Sequence, residues 1–140
     1  MNYTIANIRV SLPDACTGAH FTRALQPFRT AEPGPADLTL EIVSRLPDMP
    51  GYRELYRFDF TDADADCRFG RDEAGYLLEI APRDGSAPAR FRTAYGSAEA
   101  ASDFTAQHNP ALLRFGLWTL YNIAAVGRGA VAFHSSVIRF

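Results

Sequence analysis

Residues 67–81 read CRFGRDEAGYLLEIA, and this stretch decides the fold class. Cys67–Arg71 and Tyr76–Ala81 are short strand-like runs, and Asp72–Gly75 (DEAG) between them supplies an aspartate and a glycine able to take positive φ. Two such runs joined by such a turn are the pattern of a β-hairpin. The same period continues on both sides. Glu54–Phe60 (ELYRFDF) puts Tyr56, Phe58 and Phe60 on one face, and Ala89–Tyr95 (ARFRTAY) groups Phe91, Thr93 and Tyr95. Towards the N-terminus, Asp37–Leu46 points Leu38, Leu40, Ile42 and Leu46 inward, with Thr39, Glu41, Val43 and Arg45 outward. Tyr3–Leu12 reads as one strand with Ala6, Ile8, Val10 and Leu12 on a single face, ended by Pro13. Alternation of this kind marks half-buried strands, and short strands separated by turns predict an antiparallel sheet.

The period changes after residue 108. Asn109 can cap a helix and Pro110 suits its first position. The helix expected over about 110–126 is apolar almost all round, broken mainly by Arg114, Thr119 and Asn122, and Gly127 and Gly129 end it. A helix so apolar needs cover on most of its circumference. Ala130–Phe140 (AVAFHSSVIRF) then reads as a C-terminal strand. The expected architecture is one α+β domain over 1–140, mainly an antiparallel sheet of five to seven strands with the helix packed on it. Residues 1–96 form its sheet-rich part, and 97–140 carry the helix and the last strand.

Composition narrows the function classes. The chain has 140 residues, 47% hydrophobic and 21% charged, which suits one core-forming domain. Fourteen basic against 16 acidic residues give a net charge of -2, which argues against a dedicated nucleic-acid binder. Every basic residue is arginine. Without lysine there is no Schiff-base chemistry and no phosphate-gripping P-loop lysine, and no GxxxxGK[ST] run occurs. Cys16 and Cys67 lie far apart with no metal-ligand spacing, the pattern of a reduced cytoplasmic protein. No signal-peptide pattern is visible, and no apolar run reaches the roughly 18 residues that suggest a membrane span, so neither secretion nor a membrane partner is expected.

Several residue groups invite chemistry. Asp62, Asp64, Asp66 and Glu73 occupy positions of an EF-hand loop, but Cys67 stands where the sharp turn needs glycine, so a solvated acidic turn is the better reading. His20, His108 and His134 share no zinc-ligand spacing. His134 and Ser136 fall on one side of a strand, which makes an enzyme built on them the least favoured function. Arg53, Arg57, Arg68, Arg71, Arg90 and Arg92 could bind an anion, yet they interleave with Glu54, Asp59, Asp66, Asp72 and Glu73. Cross-strand ion pairing on a wet sheet face accounts for them more simply.

The segment FGLWTLYNIAAVGRGAVAFHSSVIRF (115–140) resembles the stretch before the P-loop in HPr kinase/phosphorylase-like and phosphoenolpyruvate carboxykinase-like proteins. There an apolar helix leads into a strand bearing a histidine and small hydroxyl residues, followed by a glycine-rich phosphate loop. The preceding strands, CRFGRDEAGYLLEI included, resemble the sheet-rich N-terminal half of bacterial members of that group. The resemblance implies that His134 and Ser136 lie close to a metal or phosphate. The P-loop, its lysine and the metal-binding aspartate are not in the sequence. The chain is therefore expected to be a non-catalytic N-terminal region serving substrate or partner recognition and assembly, with ATP and Mg needed only if a P-loop core follows. A free-standing protein-interaction module for an unknown protein or peptide is the alternative. A last strand without its neighbour exposes apolar surface, so self-association is expected through residues 110–140, with Trp118, Phe133, Val137 and Phe140 as contacts.

Overall fold

In a computed structural model, residues 1–16, 24–32 and 34–131 are described. The strand expected over Ala130–Phe140 lies outside them from residue 132 onward. Where one strand is expected at the N-terminus, a hairpin forms. Ala6 and Asn7 take φ of 48° and 65°, so the chain folds back between β1 (Asn2–Ile5) and β2 (Ile8–Ser11). Two consecutive positive φ values are the geometry of a tight two-residue hairpin turn, which Asn tolerates better than most residues. The antiparallel register sets Tyr3 against Val10, and both are buried.

The remaining strands are β3 (Leu38–Ile42), β4 (Arg53–Phe60), β5 (Ala65–Arg71), β6 (Gly75–Pro82), β7 (Ala89–Ala94) and β8 (Glu99–Ser102). They form one eight-stranded sheet in the order β1-β2-β3-β8-β7-β6-β5-β4. This exceeds the five to seven strands expected, because the first strand is two and because β8 (EAAS) carries no hydrophobic alternation to announce it. The sheet is mostly antiparallel, but β3 pairs in parallel with both β2 and β8. The hairpin read from residues 67–81 is β5–β6, with Arg71 opposite Tyr76. Its turn is held by the Asp72 carboxylate, which accepts from the backbone N–H groups of Ala74 and Gly75 at 2.8 Å each. Gly75 is not needed for positive φ. It is needed because a Cβ there would stand 2.1 Å from the Thr93 carbonyl oxygen on β7.

Helix α1 (Pro110–Gly127) starts as expected: Asn109 accepts from the Ala111 N–H at 2.9 Å, with Pro110 in the first turn. It stops where Gly129, at φ 70°, lets Ala130 N–H reach back to the Ala125 carbonyl at 2.9 Å. Its buried face, which includes Leu113, Gly116, Leu117 and Leu120, lies on the sheet. There it joins Leu38, Leu40, Leu78, Ile80 and Phe91 in the core. Tyr121 pins the helix to the first hairpin by donating to the Ile5 carbonyl at 3.0 Å. Between Pro110 and Gly127 the exposed positions are Pro110, Arg114, Trp118, Val126 and Gly127, the others being buried or half-buried. The exposed stripe is narrow, with Trp118 43% exposed and Val126 67%.

Candidate functional site

The two faces of the sheet have divided the chemistry between them. On the face away from α1, arginines and carboxylates pair off, within β4 and between neighbouring strands and turns. Arg57 donates to Glu54 through Nε at 3.1 Å, Arg68 to Glu79 through Nε at 3.0 Å, and Arg90 to Asp103 through Nε at 2.7 Å. Arg92 sits 3.4 Å from Asp72. Arg83 holds Asp59, Asp64 and Asp66 at 2.8, 3.4 and 2.6 Å. Of the arginines expected to pair across strands, Arg68 does so with Glu79, and Arg90 and Arg92 reach Asp103 just past β8 and Asp72 in the β5–β6 turn, whereas Arg57 pairs with Glu54 within β4 itself. Arg53 and Arg71 form no ion pair among the described residues.

These contacts shape the titration of the carboxylates. The Arg57 hydrogen bond holds Glu54 below its ordinary range, and the Arg83 hydrogen bond does the same for Asp66. Burial alone would raise Asp72, but the N–H groups of Ala74 and Gly75 and the charge of Arg92 outweigh it and pull the carboxyl down. The acidic turn therefore has its oxygens turned to arginine. Asp62–Ala63 belongs to a short 3-10 turn and Asp66 to β5, not to the helices that flank an EF-hand loop. Among the described residues no cluster of three or more His, Cys, Asp or Glu side chains is arranged to hold a metal ion.

On the helix side, α1 crosses β7 and leaves the sheet beyond it partly bare. A groove of about 660 Å³ opens between the C-terminal half of α1 and the ends of β5, β6 and β7. Its sheet wall is aromatic: Phe69 stacks on Tyr76 at 5.7 Å between ring centroids, and Tyr76 meets Tyr95 edge-on at 4.9 Å. Its helix wall includes Thr119, Leu120 and Ile123. At the rim Arg128 is salt-bridged to Asp37, whose other carboxylate oxygen accepts the Arg9 N–H at 2.8 Å. A second hollow of about 310 Å³, bounded by Tyr56, Phe58 and Leu78, shares Phe69 and Thr119 with the first.

The polar atoms in the groove are largely committed to the fold. Thr93 donates to the Glu99 carbonyl at 3.1 Å, Thr119 to the Phe115 carbonyl at 3.0 Å, and Asn122 to the Trp118 carbonyl at 2.7 Å. The Tyr95 hydroxyl donates to the Asp72 carbonyl at 2.9 Å. The walls thus offer flat apolar surface with acceptor lone pairs at fixed places, which suits holding an aromatic or aliphatic group.

Of the site residues expected from sequence, His134, Ser136, Phe133, Val137 and Phe140 lie outside the described residues. Trp118 stacks on Tyr121 at 5.9 Å, on the flank of α1 towards β1 and outside the groove. His108 serves the fold: its Nδ1 accepts the Thr105 N–H at 2.8 Å and its ring stacks on Phe104. Cys16 and Cys67 are buried, and burial pushes both thiols up to about 11, so neither is a thiolate near neutrality. Phe69, Tyr76, Thr119 and Ile123 were not among the site residues expected from the sequence. The hairpin register carried one signal, since a turn at 72–75 already brings Phe69 and Tyr76 to the same face of neighbouring strands.

No protein-family model, curated protein or solved structure matches this chain.

Proposed function

We propose that this chain is a non-catalytic recognition domain that holds an aromatic or aliphatic group of a substrate or protein partner in the groove beside α1. The observation that carries this reading is the wall formed by Phe69, Tyr76 and Tyr95, left open beside a helix that could have covered it. The ionisable side chains on this lining are Asp37, paired with Arg128, and the two tyrosines, which favours binding over acid–base or nucleophilic chemistry. On the resemblance of residues 115–140 to the approach to a P-loop, the domain would stand at the N-terminal side of a kinase-like protein. In that setting ATP and Mg would be bound by a following core, and His134 and Ser136 would lie near the phosphates or metal.

A free-standing protein-interaction module is the second reading. It is favoured by a groove whose lining comes from residues 36–128, so that recognition needs no nucleotide-binding element.

The test is a titration with p-cresol and indole followed by backbone amide NMR. Saturable shifts confined to Thr93, Tyr95, Thr119 and Ile123 are expected, and shifts scattered over the surface would overturn the recognition reading. Addition of ATP with Mg²⁺ should leave the melting temperature unchanged; stabilisation by several degrees would overturn the non-catalytic assignment.

A further inference from the structure

β4 is the last strand of the sheet, and no described residue pairs with its outer edge. An unpaired edge offers a row of backbone donors and acceptors, and stable proteins usually blunt it with charged side chains, proline or a bulge. Here the strand contains no proline, its one irregularity lies between Glu54 and Tyr56, and its charges, Arg53, Glu54, Arg57 and Asp59, are of both signs, so they repel a strand of unmatched charge order but not a matched one. Tyr56–Phe60 remains regular and carries exposed aromatics on its helix side: Tyr56 is 68% exposed and Phe58 37%.

The charges on this strand are unevenly placed. At its start stand Arg53 and, opposite it on β5, Arg71, with no carboxylate partner among the described residues. At its end Asp59, Asp64 and Asp66 share the single cation Arg83. Asp62 faces Arg114 at 4.0 Å. One end of the edge is therefore basic and the other acidic, which suits pairing with a strand of the reverse charge order.

We infer that this strand is a second copy of β4, running antiparallel about a two-fold axis at Phe58. In that register Phe58 faces its own copy, and Tyr56 faces Phe60 of the other chain on the helix side. On the opposite side Arg57 meets Asp59 twice, once in each direction. At the ends, Arg53 of one chain approaches the acidic turn of the other, where Glu54, itself held by Arg57, is the one like charge set near Asp62. The pairing joins two eight-stranded sheets and covers the hollow beside Tyr56 and Phe58. It uses neither the groove nor the helix surface at Trp118, so it stands apart from the recognition reading. Cross-strand aromatic pairs and opposite charges set directly opposite are the contacts that stabilise antiparallel strands.

The experiment is sedimentation equilibrium on the full chain from micromolar to millimolar concentration, with two charge variants. Wild type should approach twice the 15.4 kDa of one chain. Asp59→Arg sets Arg57 against a second arginine, and Arg57→Asp sets Asp59 against a second aspartate, so each alone should weaken association by about 10- to 100-fold. Mixed in equal amounts the two variants are complementary and should dimerise as wild type does, a recovery that also shows both are folded. A wild type that stays monomeric overturns the proposal, as does a dimer unaffected by either variant or a mixture that fails to recover. A dimer that persists in both variants but is lost in Trp118→Ser would move the interface to the helix.

Discussion

Gly116 of α1 lies directly on the ring of Phe91 of β7. A Cβ at Gly116 would stand 2.3 Å from the Phe91 Cζ and 2.4 Å from each Cε atom. The absent side chain sets how closely the helix approaches the sheet, and so the depth of the groove along its flank. A helix normally gains about 1 kcal/mol when an interior glycine becomes alanine. Here the close packing reverses the sign. Gly116→Ala should destabilise the protein by about 1–2 kcal/mol, because a well-packed core resists added volume. Urea denaturation checks it. In a Phe91→Leu background the same change should be neutral or stabilising, and an unchanged penalty there would show that the ring is not the obstacle.

Tyr76 links the groove wall through its contacts with Phe69 and Tyr95. Tyr76→Ala should abolish the saturable p-cresol shifts while costing about 2 kcal/mol or less, since the ring is only partly buried. Glu41→Ala, on an outward position of β3, should leave those shifts intact. NMR titration of both variants decides whether the groove is the binding surface.

The thiols report on burial. Cys16 and Cys67 are both buried, and burial raises each to about 11. Iodoacetamide at pH 7.5 should leave the native protein unmodified and add two adducts in urea, read by intact mass. Rapid labelling without denaturant would show that the turn Asp14–Cys16 or β5 opens readily.

Acid should weaken the fold in a definite range. Asp72 is held below its ordinary value in the folded chain, so its contribution is fully present above the unfolded carboxyl value, near 3.9. It is lost as pH falls through the lower folded value. Glu54 and Asp66 shift in the same direction. The melting temperature should stay nearly level from pH 7 to 5 and fall below about pH 4. Asp72→Asn should lower it at pH 7 and flatten the acid fall.

Much of the architecture could be read where the cause is local. The Asp72–Gly75 turn depends on an aspartate oxygen and two nearby N–H groups, and the start of α1 depends on Asn109 and Pro110, all neighbours in the chain. The strand at Ala89–Tyr95 is likewise written in its own alternation. The Ala6–Asn7 turn was hidden, because the apolar positions that follow it keep a strand-like period. β8 was hidden for the opposite reason: Glu99–Ser102 has little strand preference and exists as a strand because β3 and β7 offer it two edges. Gly75 looked like a turn glycine, yet its use is to let Thr93 come close.

Residue type and spacing along a few turns of chain are enough for the α+β class, the capped helix and most strand faces. The strand order with β3 parallel to both neighbours, the edge of β4 unpaired among the described residues and the groove beside α1 come from the packing of distant parts of the chain. Those features depend on where a helix lands on a sheet. That position is set by contacts such as Gly116 on Phe91 and Tyr121 on Ile5, between residues far apart in the chain, which no local pattern encodes.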